Sequence, residues 1–221
     1  MPIINQGLGG ITVKIYDISM PVHQNMPVYN NRIEKRPEIS VTHDYNSGYV
    51  YESVIKIGMH SGTHIDAPLH MIKGGSTIDK LDITKLVTDC CVYDFTDVKD
   101  RITSEDLKTK KIQSGSFILL KTRNSFFDGF DPEFVFVDES GAEYLYELKI
   151  KGVGIDSLGI ERSQPGHATH TTLLGNGIII LEGLKLADIK EGNYQMIALP
   201  LKIIGTEAAP ARVILIDSQP E

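Results

Sequence analysis

Residues 60–70 read HSGTHIDAPLH and place three of the chain's seven histidines, together with an aspartate, inside eleven positions. His60, His64, Asp66 and His70 are all even-numbered, so an extended chain directs them to one side. One regular element cannot run through the whole stretch, because Gly62 loosens it and Pro68 bars a central strand. The expected local structure is a strand ending near Gly58 that runs into a turning segment where the side chains converge. Two imidazoles and a carboxylate from so short a segment form a compact N/N/O ligand set for Zn2+, Mn2+ or a similar first-row ion. A lone histidine reads more simply as a core or surface residue; the H-x3-H-x-D-x3-H spacing makes that the weaker account here.

Three ligands, His60, His64 and Asp66, leave a coordination position open, as catalytic sites do. An ion so held lowers the pKa of a coordinated water from about 15.7 to about 7. A fourth ligand from the same segment tends to close the site, so His70 is read separately, as a proton carrier with an ordinary pKa of about 6.5. Hydrolysis of an amide needs such a group, because the departing nitrogen must be protonated.

A second group spans residues 154–184, GIDSLGIERSQPGHATHTTLLGNGIIILEGL. His167 and His170 precede a strand in which Glu182 follows four consecutive aliphatic residues. An acid in that place is costly to bury unless it is paired, protonated or bound to a cation. Taken alone, Glu182 reads equally well as a surface residue at a strand end. Beside the first group it is a candidate ligand for a second ion, with Asp66 bridging the roughly 3.5–4 Å common in two-metal hydrolases.

The elements that must position these groups are mostly strands. β-Branched and aromatic runs occur at 11–19, 50–58, 90–95, 116–122, 152–157, 177–184, 194–205 and 211–217. Several are unbroken apolar runs, which suits strands covered on both faces. Helical signals fall in TSEDLKT, with Thr103 or Ser104 as N-cap, and in SGAEYLYELKIKG, which stops at Gly152. No G-x-G-x-x-G or P-loop follows any strand. The reading is one α/β domain, residues 1–221, with a strand-rich mixed sheet and flanking helices.

Composition narrows the partners. The net charge is −7, and the short basic run KTKK at 108–111 follows Glu105 and Asp106 and reads as a solvated helix end, so nucleic acid is excluded as a partner. Cys90 and Cys91 are adjacent, which rules against a structural disulfide and favours free buried thiols. MPIINQGLGG lacks the basic and apolar regions of a leader, and no stretch is long enough to span a bilayer. A soluble, cytoplasmic protein without a membrane partner is expected.

HSGTHIDAPLH resembles the H-x-G-T-H-x-D-x-P-x-H signature of the cyclase-like metal-dependent hydrolases, which include bacterial kynurenine formamidases and isatin hydrolases. IYDISMPVHQNMPVY, GIDSLGIE and ALPLKIIGTEAAPARVILI are similar to that family's N-terminal, central and C-terminal segments. The resemblance implies a swivelling β/β/α fold and a homodimer or homotetramer. It assigns His60, His64 and Asp66 to a first metal and His70 to proton transfer. It assigns His170 and Glu182, twelve residues apart, to a second metal bridged by Asp66, which favours His170 over His167. One or two divalent ions per chain follow, with Zn2+ first and Mn2+ as the alternative. Where formamidases carry a tryptophan and a Pro-Gly step, this chain reads PVYNN at 27–31, and Tyr29 supplies the aromatic surface for substrate. The implied activity is hydrolysis of N-formylkynurenine, a small-molecule amide, through metal-activated water. A hydrolase of a cyclic amide such as isatin and a non-catalytic metal- or ligand-binding homologue are the alternatives.

Overall fold

The computed structural model describes residues 4–8 and 11–217; parts of MPIINQGLGG, the segment read for a leader, lie outside the described residues. Chain order is β1 (Ile4–Leu8), β2 (Ile11–Asp17), β3 (Glu38–His43), β4 (Glu52–Lys56), β5 (His64–Asp66), β6 (Val87–Asp94) and β7 (Arg101–Ile102). There follow α1 (Ser104–Lys108), β8 (Phe117–Lys121), β9 (Phe136–Val137), α2 (Glu139–Glu147), β10 (Gly152–Ile155), α3 (Ala168–Gly175), β11 (Ile179–Glu182), β12 (Gly192–Pro200) and β13 (Ala208–Asp217).

Nine strands form one mixed sheet in the order β1-β2-β13-β12-β6-β8-β10-β11-β5, and β5 pairs with β13 as well. That last pairing closes the run from β13 to β5 on itself, giving a barrel-like arrangement. β6, β8, β10 and β11 are mutually parallel, and antiparallel pairs complete the sheet. The expected α/β fold with a strand-rich mixed sheet is therefore what the chain adopts.

Alternation along each strand sorts side chains into two cores. Phe117, Leu119, Val92, Leu181, Met196 and Leu215 meet Ile65 inside the closed run of strands. Ile118, Leu120, Val153, Ile155 and Ile180 point the other way and are covered by Leu145 of α2 and Leu173 and Leu174 of α3. Both faces of β8, β10 and β11 are thus buried, which is why these strands read as continuous apolar runs. Gly152 leaves the space that Phe117 fills, since a Cβ there would lie 2.4 Å from its ring.

The first helix signal was accurate at its start, and the second helix begins at Glu139 with Asp138 as its N-cap. Thr103 caps α1 in a reciprocal capping box with Asp106. The second helix ends at Glu147, not at Gly152. Lys149 takes the left-handed turn at φ 54°, and Gly152 opens β10. The strand expected over 194–205 stops at Pro200, after which Leu201 N–H bonds to the Pro210 carbonyl at 3.0 Å. The strand expected at 50–58 is β4, but it pairs with β3 in a separate hairpin with both faces exposed. Cys90 and Cys91 are unbridged thiols on β6, and burial pushes the Cys90 thiol up to about 12. Among the described residues no helix is long and apolar enough to cross a membrane.

Candidate metal centre

The first histidine segment follows the expected course with one addition. β4 ends at Lys56, the chain turns through residues 57–63, and His64–Asp66 then form a three-residue strand inserted between β11 and β13. Pro68 starts a 3-10 turn ending at His70, so the strand is as long as the proline allows. Ile65 points into the barrel, and His64 and Asp66 point outward to the side covered by α3.

Antiparallel register brings the second segment to the first. Glu182 sits directly opposite His64 on β11. The chain crosses close to itself just after that residue. Gly183 holds φ 70°, and a Cβ there would lie 2.4 Å from the Gly62 carbonyl oxygen, so only glycine fits. Helix α3, not foreseen in the sequence, delivers His170 from above this sheet face.

The side chains converge. Asp66 Oδ1 lies 3.0 Å from His60 Nδ1 and 3.5 Å from His64 Nε2, while its Oδ2 faces His170 Nε2 at 3.8 Å. Glu182 divides its oxygens similarly, Oε2 at 3.2 Å from His64 Nε2 and Oε1 at 3.4 Å from His170 Nε2. Glu182 Oε1 also accepts the Ile160 N–H at 2.6 Å. His64 and Asp66 are sealed from solvent, and His170 and Glu182 are nearly so. The His70 ring stacks at a tilt over His60, centroids 4.1 Å apart, and stands 5.6 Å from His170.

Two histidines have their Nδ1 atoms committed elsewhere. His64 Nδ1 donates to the Gly62 carbonyl at 2.9 Å, and His170 Nδ1 donates to Glu161 Oε2 at 2.7 Å. Their Nε2 atoms are left to face the carboxylates. Burial opposes charge on His64, yet Glu182 and Asp66 push its pKa up to about 9. His170 is likewise penalised by burial and pushed up to about 10 by Glu161, Glu182 and Asp66. The same contacts overcome burial to hold Glu182 well below the ordinary range. His70 moves the other way: burial, with the neighbouring His60 and His170, outweighs Asp66 and lowers its pKa.

His60 Nε2, His64 Nε2 and both Asp66 oxygens are shielded from solvent without a hydrogen-bond partner. The approaches of these atoms to one another at 3.0–3.8 Å are not hydrogen bonds. Buried donors and acceptors normally find partners. A set of orphaned nitrogen and carboxylate atoms converging on shared space fits a divalent cation. Ligand atoms of His60, His64 and Asp66 lie within 4.8 Å of one another, and so do those of Asp66, His70 and His170.

Of the residues singled out in the sequence, His60, His64, Asp66, His70, His170 and Glu182 come together here. His167 is exposed at the edge of this group: it lies 3.9 Å from Glu161 Oε1, and its ligand atom is within 4.8 Å of those of Glu161 and His170. A cavity of about 590 Å³ opens over the group, lined by His60, His70, His167, His170 and Glu182. Tyr29 lines it too, its ring edge-on to Phe130 at 5.1 Å between centroids. Glu161 was passed over in the sequence. It lies in the quoted segment, but an acid beside an arginine in a loop reads as a solvated charge. Only the fold turns it onto His170.

The family model for putative cyclases matches residues 16–162 of this chain. The chain belongs to that family. A solved predicted metal-dependent hydrolase from Bacillus stearothermophilus is 52% identical, with a TM-score of 0.86 over 93% of this chain and 98% of that one. The kynurenine formamidase of Sphingopyxis alaskensis is 28% identical over 91% of this chain and 97% of its own length. Isatin hydrolase A of Labrenzia aggregata, 23% identical, shares the putative cyclase fold with a TM-score of 0.82 over 94% of each chain.

Proposed function

We propose that this protein is a metal-dependent amide hydrolase of the arylformamidase type, with N-formylkynurenine as its substrate. The convergence of shielded, unbonded atoms of His60, His64 and Asp66 beside His70 at the cavity carries this reading. The relationship to a kynurenine formamidase and to a predicted metal-dependent hydrolase supports it. His60, His64 and Asp66 would hold one ion, and His170 and Glu182, with Asp66 shared, would hold a second. Zn2+ is the first choice of ion and Mn2+ the second. A divalent ion bound there acidifies a water molecule and polarises the amide carbonyl.

The chain's own groups do the rest. Burial lowers the His70 pKa and favours its neutral form, which can take up a proton and return it to the departing nitrogen. Its stacking on His60 keeps the imidazole at the inner end of the cavity. Glu161 fixes the tautomer of His170, so that Nε2 faces Asp66 and Glu182. The Tyr29 ring, braced by Phe130, offers a face for an aryl group. Assembly as a homodimer or homotetramer and a cytoplasmic location belong to the same proposal.

The test is turnover of N-formylkynurenine by protein loaded with Zn2+ or Mn2+, with His70→Ala alongside. The variant is expected to lose about 10²–10⁴-fold in rate while keeping its ion content. Full turnover by His70→Ala with metal bound removes His70 from proton transfer. An inert, metal-loaded wild type that opens isatin moves the substrate to a cyclic amide.

A further inference from the structure

The cavity over the metal-binding group holds a cation with nothing to bind. Arg36 lines it, half-buried, between exposed Lys35 and buried Pro37. Its Nε is shielded from solvent and has no hydrogen-bond partner, and its guanidinium pairs with no acid among the described residues. The neighbouring cations are differently placed. Lys56 Nζ bonds to Glu38 at 2.8 Å, and Lys35 Nζ lies over the Tyr29 ring, 5.6 Å from its centroid.

The segment carrying Arg36 is held beside the site. The Arg36 N–H closes a turn onto the Ile33 carbonyl at 3.0 Å, and Ser61 Oγ, next to His60, donates to the Lys35 carbonyl at 3.5 Å. A guanidinium cannot shed its charge, and a shielded donor left unmatched is unfavourable. The two terminal nitrogens are not shielded in this way, and at the cavity wall they are open to an anion.

We propose that Arg36 is a specificity-determining residue that binds a carboxylate on the substrate, away from the scissile amide. The inference rests on the hydrolase reading above and narrows its substrate to amides that carry one carboxylate. A planar carboxylate matches the fork of the guanidinium. A dianion suits the cavity poorly, because Glu34, Glu161, Glu182 and Glu207 line the same space.

The test compares N-formylkynurenine and the three formamidobenzoate isomers, each against its methyl ester, on metal-loaded wild type, Arg36→Gln and Arg36→Lys. Wild type is expected to favour at least one acid over its ester by about tenfold or more in kcat/KM, through KM. Arg36→Gln should bring that ratio to about one, and Arg36→Lys should restore part of it. Calorimetric titration of the matching aminobenzoate, with and without the ion, gives a second reading: binding about tenfold weaker in Arg36→Gln under both conditions. An acid-to-ester ratio unchanged by Arg36→Gln, in protein that melts as wild type does, overturns the proposal and leaves the hydrolase reading standing. Aminobenzoate binding that depends on Arg36, in protein that cleaves no formamide, retains the anion site and removes the hydrolase reading. Equal aminobenzoate binding by wild type and Arg36→Gln overturns the anion site whatever the turnover.

Discussion

His170 is oriented by one contact that the ligand pattern in the sequence does not contain. Glu161 accepts from its ring Nδ1 at 2.7 Å and from its backbone N–H at 3.0 Å, so the carboxylate fixes both the ring and the first turn of α3. Groups that hold a metal-binding imidazole in this way commonly contribute about 10–100-fold to ion affinity or activity. Glu161→Gln keeps an acceptor but removes one of the carboxylates that raise the His170 pKa. We expect that variant to bind the second ion about 10–100-fold more weakly while the first is retained. Competitive titration with a chelating dye reads both steps, and equal loss of both ions would refute the separation. His60, His64, Asp66 and His70 were legible because one segment carries them. Glu161 and Arg36 were not, since a loop charge looks the same in sequence whether it meets water or an imidazole.

At the scale of elements, the site depends on β5, which is only three residues long but has a neighbour on each side. Its register sets Glu182 opposite His64, and Gly183 permits the crossing that follows. Gly183→Ala forces a methyl group against the Gly62 backbone at a left-handed φ, a conformation that costs other residues about 1–2 kcal/mol before any clash. The expected result is destabilisation of at least that size in urea, with weakened ion binding because Glu182 and His64 are displaced. A variant as stable as wild type would show that the crossing relaxes freely. α3 anchors the other side through Leu173, fully buried under the sheet, and Leu173→Ala should cost about 2–5 kcal/mol by the same measurement. That helix escaped the sequence reading because ATHTTLLG is short and rich in threonine, a weak helix former. What secures it is packing on Ile180 and Val153, which no local pattern reveals.

The whole molecule places several acids and imidazoles where water does not reach, and this sets a pH dependence. Free of metal, His64 and His170 have pKa values raised to about 9 and about 10, against about 6.5 for an unfolded histidine. A raised folded pKa contributes stability that is complete below the unfolded value and is lost as pH climbs through the folded one. The melting temperature of metal-free protein should therefore fall between about pH 7 and pH 10. Metal-loaded protein, whose ligands are already deprotonated, should not share that fall, and the gap between the two should widen with pH. Scanning calorimetry across that range checks it; parallel curves would mean the histidines are neutral in the metal-free state.

The candidate ligands of residues 60–70, the apolar strands and the start of α1 were legible in the sequence alone, because each rests on chemistry or periodicity within a few neighbouring residues. His170 could be preferred over His167 only through family resemblance. Tertiary structure decided the rest. It closed β5 onto β13, turned Glu161 onto His170 and left Arg36 facing the cavity without a partner. These are relations between segments far apart in the chain, and the free energy that sets them comes from burial and register across the sheet, which no single segment contains.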